Sequence, residues 1–259
     1  MIDLHSHVLP GIDDGPASVE GSLALARAAA RSGVRTLLAT PHIDHAYGLR
    51  PARVHEEVKR FGARLHEEGI PLEVLPGGEV ALSRCSELSD EDLRAVCLGG
   101  GPYVLLESPL QTVAVALEPA VFELQVRGFR VLLAHPERSP VFMRDPERLR
   151  GLVDKGALCQ ITAASLLGQF GRTVRSYSLT LLREGLVHDV ASDAHDEQRR
   201  PPGLREGLSA AERDVRGLGA LAGWLTEEAP AAILRGTALP PRPELPGRRG
   251  LLGRLRRAS

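Results

Sequence analysis

Residues 1–7 read Met1-Ile2-Asp3-Leu4-His5-Ser6-His7, and Pro10-Gly11-Ile12-Asp13-Asp14-Gly15 follows shortly after. A short apolar run passes directly into a His-X-His pair and then into a turn. In an extended strand, successive side chains alternate faces, so His5 and His7 point the same way and can grip one ion together. The pattern recurs along the chain, with further apolar runs at 36–40, 72–75, 103–106, 131–134, 158–162 and 187–191. Each run is short, rich in Leu or β-branched residues, and bounded by Gly, Pro or charge, as strands buried on both faces are. Helical patterns fill the intervals at 19–32, 53–68, 118–127 and 146–155. Gly33, Gly69, Gly128, Gly156 and Gly185 stand where helices end before the next strand, a position that favours glycine. Strand–helix units in such a series predict a parallel α/β barrel. An open doubly wound sheet would gather its functional residues at one switch point, whereas here they follow nearly every strand.

The residues after each strand carry the chemistry. The first run ends in His5 and His7 with Asp13 and Asp14 beyond; the second ends in Thr40-Pro41-His42. Gly77-Gly78-Glu79 follows the third and Glu107 the fourth. The fifth ends in His135-Pro136-Glu137-Arg138, and the last in Ser192-Asp193-Ala194-His195. In a barrel these termini converge on one face, where such enzymes keep their active sites. Imidazole with carboxylate and no thiolate suits Zn, Mn or Fe(II). Together His5, His7, Asp14, His42, Glu79, Glu107, His135, Asp193 and His195 exceed what one ion can take. Two or three divalent ions are expected, with a carboxylate bridging at least one pair. Singly these residues say little: His42 fits a capping loop, and Glu107 fits an ion pair with arginine. The joint placement decides. His45, His55 and His66 read as surface or outlying residues, and His188, in the last run, as structural.

Composition removes several other classes. The 32 basic and 33 acidic residues give a formal net charge of −1, so nothing global points to nucleic acid. No apolar run approaches the roughly 20 residues that span a bilayer. The first residues form no basic and apolar leader, and a cytoplasmic location is expected. Cys85, Cys97 and Cys159 are irregularly spaced with no CxxC pair, which fits a reducing compartment. A cysteine-dependent tyrosine phosphatase needs CxxxxxR, but the sixth residues after these cysteines are Glu91, Tyr103 and Ser165. Residues 1–239 are expected to form one domain. Residues 240–259, Pro-rich and then Arg-rich, are expected to be a flexible tail. That tail reads as a solvated end or as a weak basic anchor to an anionic membrane or partner.

The words MIDLHSHVLPGIDDGP, ATPH, PGGE, VLLE, AHPER, QITAASLLGQFG and SDAHDEQRRPPG occur in this order between Met1 and Gly203. As a set they resemble the polymerase-and-histidinol-phosphatase (PHP) superfamily of metal-dependent phosphoesterases. More narrowly, they are similar to the bacterial capsule-biosynthesis tyrosine phosphatases of the CpsB/CapC type. The resemblance implies a distorted (β/α)7 TIM-like barrel, the PHP fold, with a trinuclear site in which manganese is preferred and iron or zinc are alternatives. It implies a first ion on His5, His7, Glu79 and Asp193, and a second on Glu79, Glu107 and His135. The third would lie on Asp14, His42 and His195, with Asp13 the neighbouring alternative to Asp14. Glu107 stands where histidinol phosphatases usually carry histidine.

Arg138 and Arg200 resemble phosphate binders, with Arg199 the alternative to Arg200. His42, His195 and Asp193 are candidates to protonate the leaving group. The loop Ile43-Asp44-His45-Ala46-Tyr47-Gly48 departs from the pattern, and His45 and Tyr47 become candidate substrate contacts. The implied activity is hydrolysis of phosphotyrosine on a protein, with a bacterial tyrosine kinase of capsule or exopolysaccharide synthesis as partner. One rival is a phosphoesterase acting on histidinol phosphate or nucleic-acid ends; another is a metal-binding scaffold for a kinase. An amidohydrolase would commonly use a carbamylated lysine bridge, and neither Lys59 nor Lys155 ends a strand.

Overall fold

The computed structural model describes residues 1–110 and 116–245. Its strands are β1 (Ile2–Asp3), β2 (Thr36–Ala39), β3 (His42–Ile43), β4 (Glu73–Pro76) and β5 (Glu79–Val80), then β6 (Tyr103–Glu107), β7 (Arg130–Ala134), β8 (Leu158–Thr162) and β9 (Asp189–Ala191). All pair in parallel, in the orders β1-β2-β4 and β3-β5-β6-β7-β8-β9. The two sheets are one wall. β3 resumes β2 after Thr40-Pro41, where proline has no N–H for the ladder, and β5 resumes β4 after Gly77-Gly78. At Gly78 a Cβ would stand 2.8 Å from Ile43 Cγ1 and 2.9 Å from Val96 Cβ, so only glycine passes there without a shift.

The wall then closes. Ser6 bridges Ala194 in parallel, His7 N donates to Ala194 O at 2.9 Å, and Asp193 N donates to His5 O at 2.9 Å. Seven strand units therefore form a distorted α/β barrel, as the seven apolar runs foretold.

Helices Val19–Arg31, Arg53–Glu67, Leu117–Val126, Pro146–Asp154 and Arg172–Glu184 lie between successive strand units. The ends of the first four fall within a residue or so of the expected ones. Ser18 Oγ caps the first by accepting from Gly21 N at 3.2 Å, a contact typically worth about 1 kcal/mol. Gly185 ends the last with φ 79°, a left-handed conformation that side chains resist.

Alternation along the strands sorts two cores. Val104, Leu106, Val131, Leu133, Cys159 and Ile161 belong to the larger cluster, shared with the helices. Leu105, Leu132, Ala134 and Leu158 belong to a smaller cluster with Leu4, Leu38 and Ile233. The parity that sends Leu105 to the smaller cluster also carries Glu107, and that of Leu158 carries Gln160 and Thr162. The smaller cluster is thus apolar low in the barrel and gives way to polar side chains at the strand ends.

The three cysteines are buried and free; burial pushes the thiols of Cys85 and Cys97 up to about 12. They pack and do no chemistry at neutral pH. His188 immediately precedes β9 and is structural: its Nδ1 accepts from Cys159 N at 3.1 Å. Past the last helix, Pro240 O accepts from Trp224 Nε1 at 3.0 Å. The Arg242 guanidinium lies 5.6 Å from the Trp224 ring centre. Residues 240–245 of the expected tail therefore begin against the barrel, while its Arg-rich part, 246–259, lies outside the described residues. Among the described residues, no helix is long and apolar enough to cross a membrane.

Candidate metal centre

His5 and His7 project into the strand-end cavity as their i, i+2 spacing requires. Their Nε2 atoms stand 3.3 Å apart. Glu79 Oε2 lies 3.4 Å from each of them, and Asp193 Oδ1 lies 3.5 Å from each. Glu79, at the head of β5, also reaches outward: its Oε1 is 2.7 Å from His135 Nε2 and its Oε2 is 3.1 Å from His42 Nδ1. Asp14 Oδ1 lies 3.2 Å from His195 Nε2 and 3.4 Å from His42 Nε2. Donor atoms fall within 4.8 Å of one another in three overlapping groups: His5, His7 and Asp193; His42, Glu79 and Glu107; and His7, Asp14, His42 and His195.

All nine sequence-predicted donors thus converge, but their grouping differs in detail from the implied one. His42, expected only in the third group, also faces Glu79 and Glu107. His135 approaches Glu79 through the other carboxylate oxygen. Asp13 and Asp14 differ in their partners. Asp13 Oδ2 accepts from His7 Nδ1 at 2.7 Å and from His42 N at 3.1 Å, and its Oδ1 accepts from Gly15 N at 3.0 Å. Its carboxylate is already engaged, and Asp14 faces the histidines. His135 and Asp193 have φ of 35° and 52°, a conformation that costs a non-glycine residue about 1–2 kcal/mol. The chain leaves its strands by a strained turn at both donors.

Several supporting residues escaped sequence reasoning. Gln160 Oε1 accepts from His5 Nδ1 at 2.8 Å, and its Nε2 donates to Asp189 Oδ2 at 2.6 Å. Burial and the neighbouring Asp3 charge push the Asp189 carboxyl well above its usual range. The Gln160 amide keeps the His5 proton on Nδ1 and the lone pair on Nε2, facing the cluster. Asp13 does the same for His7. Phe170 lies beneath the two predicted arginines, its ring centre 4.2 Å from the Arg138 guanidinium and 6.0 Å from that of Arg200. The hint available for Gln160 was a polar residue at an inward position of a buried strand.

Arg138 Nη1 and Arg200 Nη2 both donate to Asp193 Oδ2, at 2.9 and 2.6 Å. Arg199 instead offers only its backbone N–H to Asp196, so the structure brings Arg200 to the site. Tyr47 lays its ring parallel to His42, with centres 5.6 Å apart and an interplanar angle of 6°. His45 turns away to an exposed pair with Glu87 at 3.2 Å. A cleft of about 140 Å³ is walled by seven of the nine donors, all but His5 and His7, together with both arginines and Leu110.

The electrostatics are those of a place awaiting cations. Burial alone would raise the Asp193 carboxyl, but the charge of His5, a hydrogen bond from His7 and the Arg200 guanidinium outweigh it and hold the group well below the usual range. Glu79 is likewise driven up by burial and pulled further down by His5 and His135. Burial opposes the charged form of His7, yet hydrogen bonds with Asp13, Asp193 and Glu79 hold it well above its ordinary value. Glu107 goes the other way, raised by burial and by the neighbouring Glu79 charge. Glu79 Oε2 and His135 Nδ1 are buried without a hydrogen-bond partner. Buried lone pairs facing each other across 3–4 Å are costly unless a cation sits between them, so the donor set fits divalent metal.

The family described as capsular polysaccharide synthesis, CpsB/CapC, matches residues 1–230. The tyrosine-protein phosphatase YwqE of Bacillus subtilis is 38% identical over 254 residues, covering 98% of this chain and 99% of that protein. The putative tyrosine-protein phosphatase CapC of Staphylococcus aureus is 30% identical over 215 residues, covering 80% of this chain and 81% of its own. Among solved structures, one described as YwqE from Bacillus subtilis and CpsB from Streptococcus pneumoniae, unique metal-dependent tyrosine phosphatases, superposes with a TM-score of 0.83 at 38% identity. That match covers 94% of this chain and 99% of the other. The lactonase Lmo2620 of Listeria monocytogenes shares the fold alone, with a TM-score of 0.60 at 12% identity over 92% of this chain and 95% of its own.

Proposed function

This chain belongs to the CpsB/CapC family, and from that premise we propose that it is a metal-dependent protein-tyrosine phosphatase. The observation that carries the reading is one cleft walled by His and carboxylate donors and entered by two arginines. Two or three divalent ions would be held there, on His5, His7, Glu79 and Asp193, on Glu79, Glu107 and His135, and on Asp14, His42 and His195. Manganese is the expected metal, with iron or zinc as alternatives. Bound metal of this kind supplies Lewis-acid neutralisation of phosphate oxygens and a hydroxide nucleophile near neutral pH.

The chain's own groups do the rest. Arg138 and Arg200 share one Asp193 oxygen, which leaves guanidinium N–H groups free to take phosphate oxygens in charge-assisted, two-pronged contacts. Asp193, held ionised, anchors them and serves poorly as an acid. His42 and His195 stand at the mouth, where the ester oxygen would leave. A phenol with pKa about 10 is a stable leaving group, so the demand on that proton donor is modest.

The protein partner is expected to be a bacterial tyrosine kinase of capsule or exopolysaccharide synthesis, met in the cytoplasm; family membership supports this. The test is phosphate release by the purified, manganese-loaded chain from a phosphotyrosine peptide, a phosphoserine peptide and histidinol phosphate. Preference for the phosphotyrosine peptide is expected. Preference for histidinol phosphate would overturn the substrate assignment, and release from none of the three would reduce the chain to a metal-binding scaffold.

A further inference from the structure

The rim of the cleft has two unlike parts. Arg138 and Arg200 rise from the turns after β7 and β9, backed by Phe170. Leu110, three residues past the end of β6 and so beside β7 in the strand order, also lines the cleft, and Tyr47, in the loop after β3, stacks on His42, another wall of it. Both side chains are 42% exposed. Of the other large apolar residues exposed among those described, Phe122 and Val126 sit on the helix Leu117–Val126, and Leu167 ends the short helix after β8, beside Gly203. Apolar surface left open beside a highly charged pocket asks for an apolar cover.

We propose that Tyr47 and Leu110 are the contact surface for the aromatic ring of the substrate, and that they make this site choose aryl over alkyl phosphate monoesters. The proposal rests on the phosphatase reading above. A cleft of about 140 Å³ has room for a phosphoryl group and little more. A phosphoryl group drawn to the arginines leaves its ester group to the rest of the rim, where Tyr47 and Leu110 stand. An aromatic ring there meets the Tyr47 face and the Leu110 side chain. Tyr47 is already arranged for this: its ring lies parallel to His42, and its N–H donates to Asp44 Oδ1 at 3.0 Å, so little ordering cost remains on binding.

The test compares competitive inhibition constants of inorganic phosphate, which reads the metal and arginine pocket, and of phenylphosphonate, which adds a ring. The metal-loaded full chain is compared with Tyr47→Ser, Leu110→Ser, the double variant and Tyr47→Phe. The double variant is expected to lose about five- to tenfold of the preference for phenylphosphonate over phosphate, the scale of one aromatic contact plus an aliphatic one. Phosphate inhibition should stay within about twofold of the parent in the same assay, a shift well under 1 kcal/mol, and Tyr47→Phe should behave as the parent. An unchanged preference in the double variant overturns the rim assignment. So does an equal weakening of both inhibitors, which would mean Tyr47 acts through His42. If the parent chain hydrolyses no phosphotyrosine, the phosphatase reading fails first, whereas a competent parent with indifferent variants sinks the rim assignment alone.

Discussion

The inner and outer parts of the metal centre use the same residue types and differ in what stands behind them. The inner donors His5, His7, Glu79 and Asp193 have side chains no more than 3% exposed. Gln160 backs His5, Asp13 backs His7, and two arginines hold Asp193. In the outer group Asp14 is 43% exposed and His42 17%, and Asp14 is placed mainly by the histidines it faces. Donors locked by buried partners lose little freedom when an ion arrives; donors at the surface must be ordered by the ion itself. The difference teaches that an ion on the inner donors would meet a preset frame, while one on the outer donors would have to order its own.

The hardest blow to this comparison is Glu79→Gln, because Glu79 faces His5, His7, His42 and His135 at once. Loss of about 10³-fold or more in turnover of a phosphotyrosine peptide is expected, with inner and outer metal both reduced on elemental analysis. Retention of either ion would show that the two groups do not depend on a common bridge. Arg138→Ala should keep its metal and its fold while losing about 10²-fold in turnover; near-parent turnover would remove Arg138 from the phosphate site.

Smaller effects sharpen the contrast. Gln160→Leu should weaken the tightest metal-binding step by about 10- to 100-fold, whereas Asp14→Asn should weaken only the loosest. Competition titration with a chelator reads both, and the reverse pattern would exchange the inner and outer roles.

The mildest test is pH. His7 in the metal-free chain is held well above its ordinary pKa, burial notwithstanding, by Asp13, Asp193 and Glu79. The outer histidines divide: burial notwithstanding, Asp14 and Glu79 raise His42, while burial, partly offset by Asp14, lowers His195. An ion must displace a proton from His7 in the inner group and from His42 in the outer one, but finds His195 already neutral. Affinity of both groups should therefore rise with pH between about 6 and 8, by up to about tenfold per unit for each proton displaced. Affinities that do not change with pH in the same chelator titrations would refute this.

The donors were legible because each sits at the end of an apolar run, where chain order alone dictates convergence. Glu107 could be placed by counting alternate residues from Leu105. Their backing could not be read, since Gln160 meets His5 across 155 residues and nothing in its neighbourhood marks it as more than a polar core residue. Phe170 likewise gains meaning only from two arginines on other loops. The resemblance implies a single group for His42, at the end of the second run, whereas register sets it opposite Glu79. The breaks at Pro41 and Gly77-Gly78 divide strands that read as single units. The seat of Pro240 and Arg242 against Trp224, the lone tryptophan, was also hidden, because proline-rich composition signals extension and not what it lies on.

The closure of the barrel also sets a timetable. Ser192 Oγ donates to His5 O across 187 residues, and Ser6 pairs with Ala194, so the first strand waits for the last. At about 5–20 residues per second of synthesis, roughly ten to forty seconds separate His5 from Asp193 on a growing chain. During that interval the half-built cavity lacks Asp193, His195 and Arg200. A nascent chain therefore lacks three groups of the proposed site until the final strand docks.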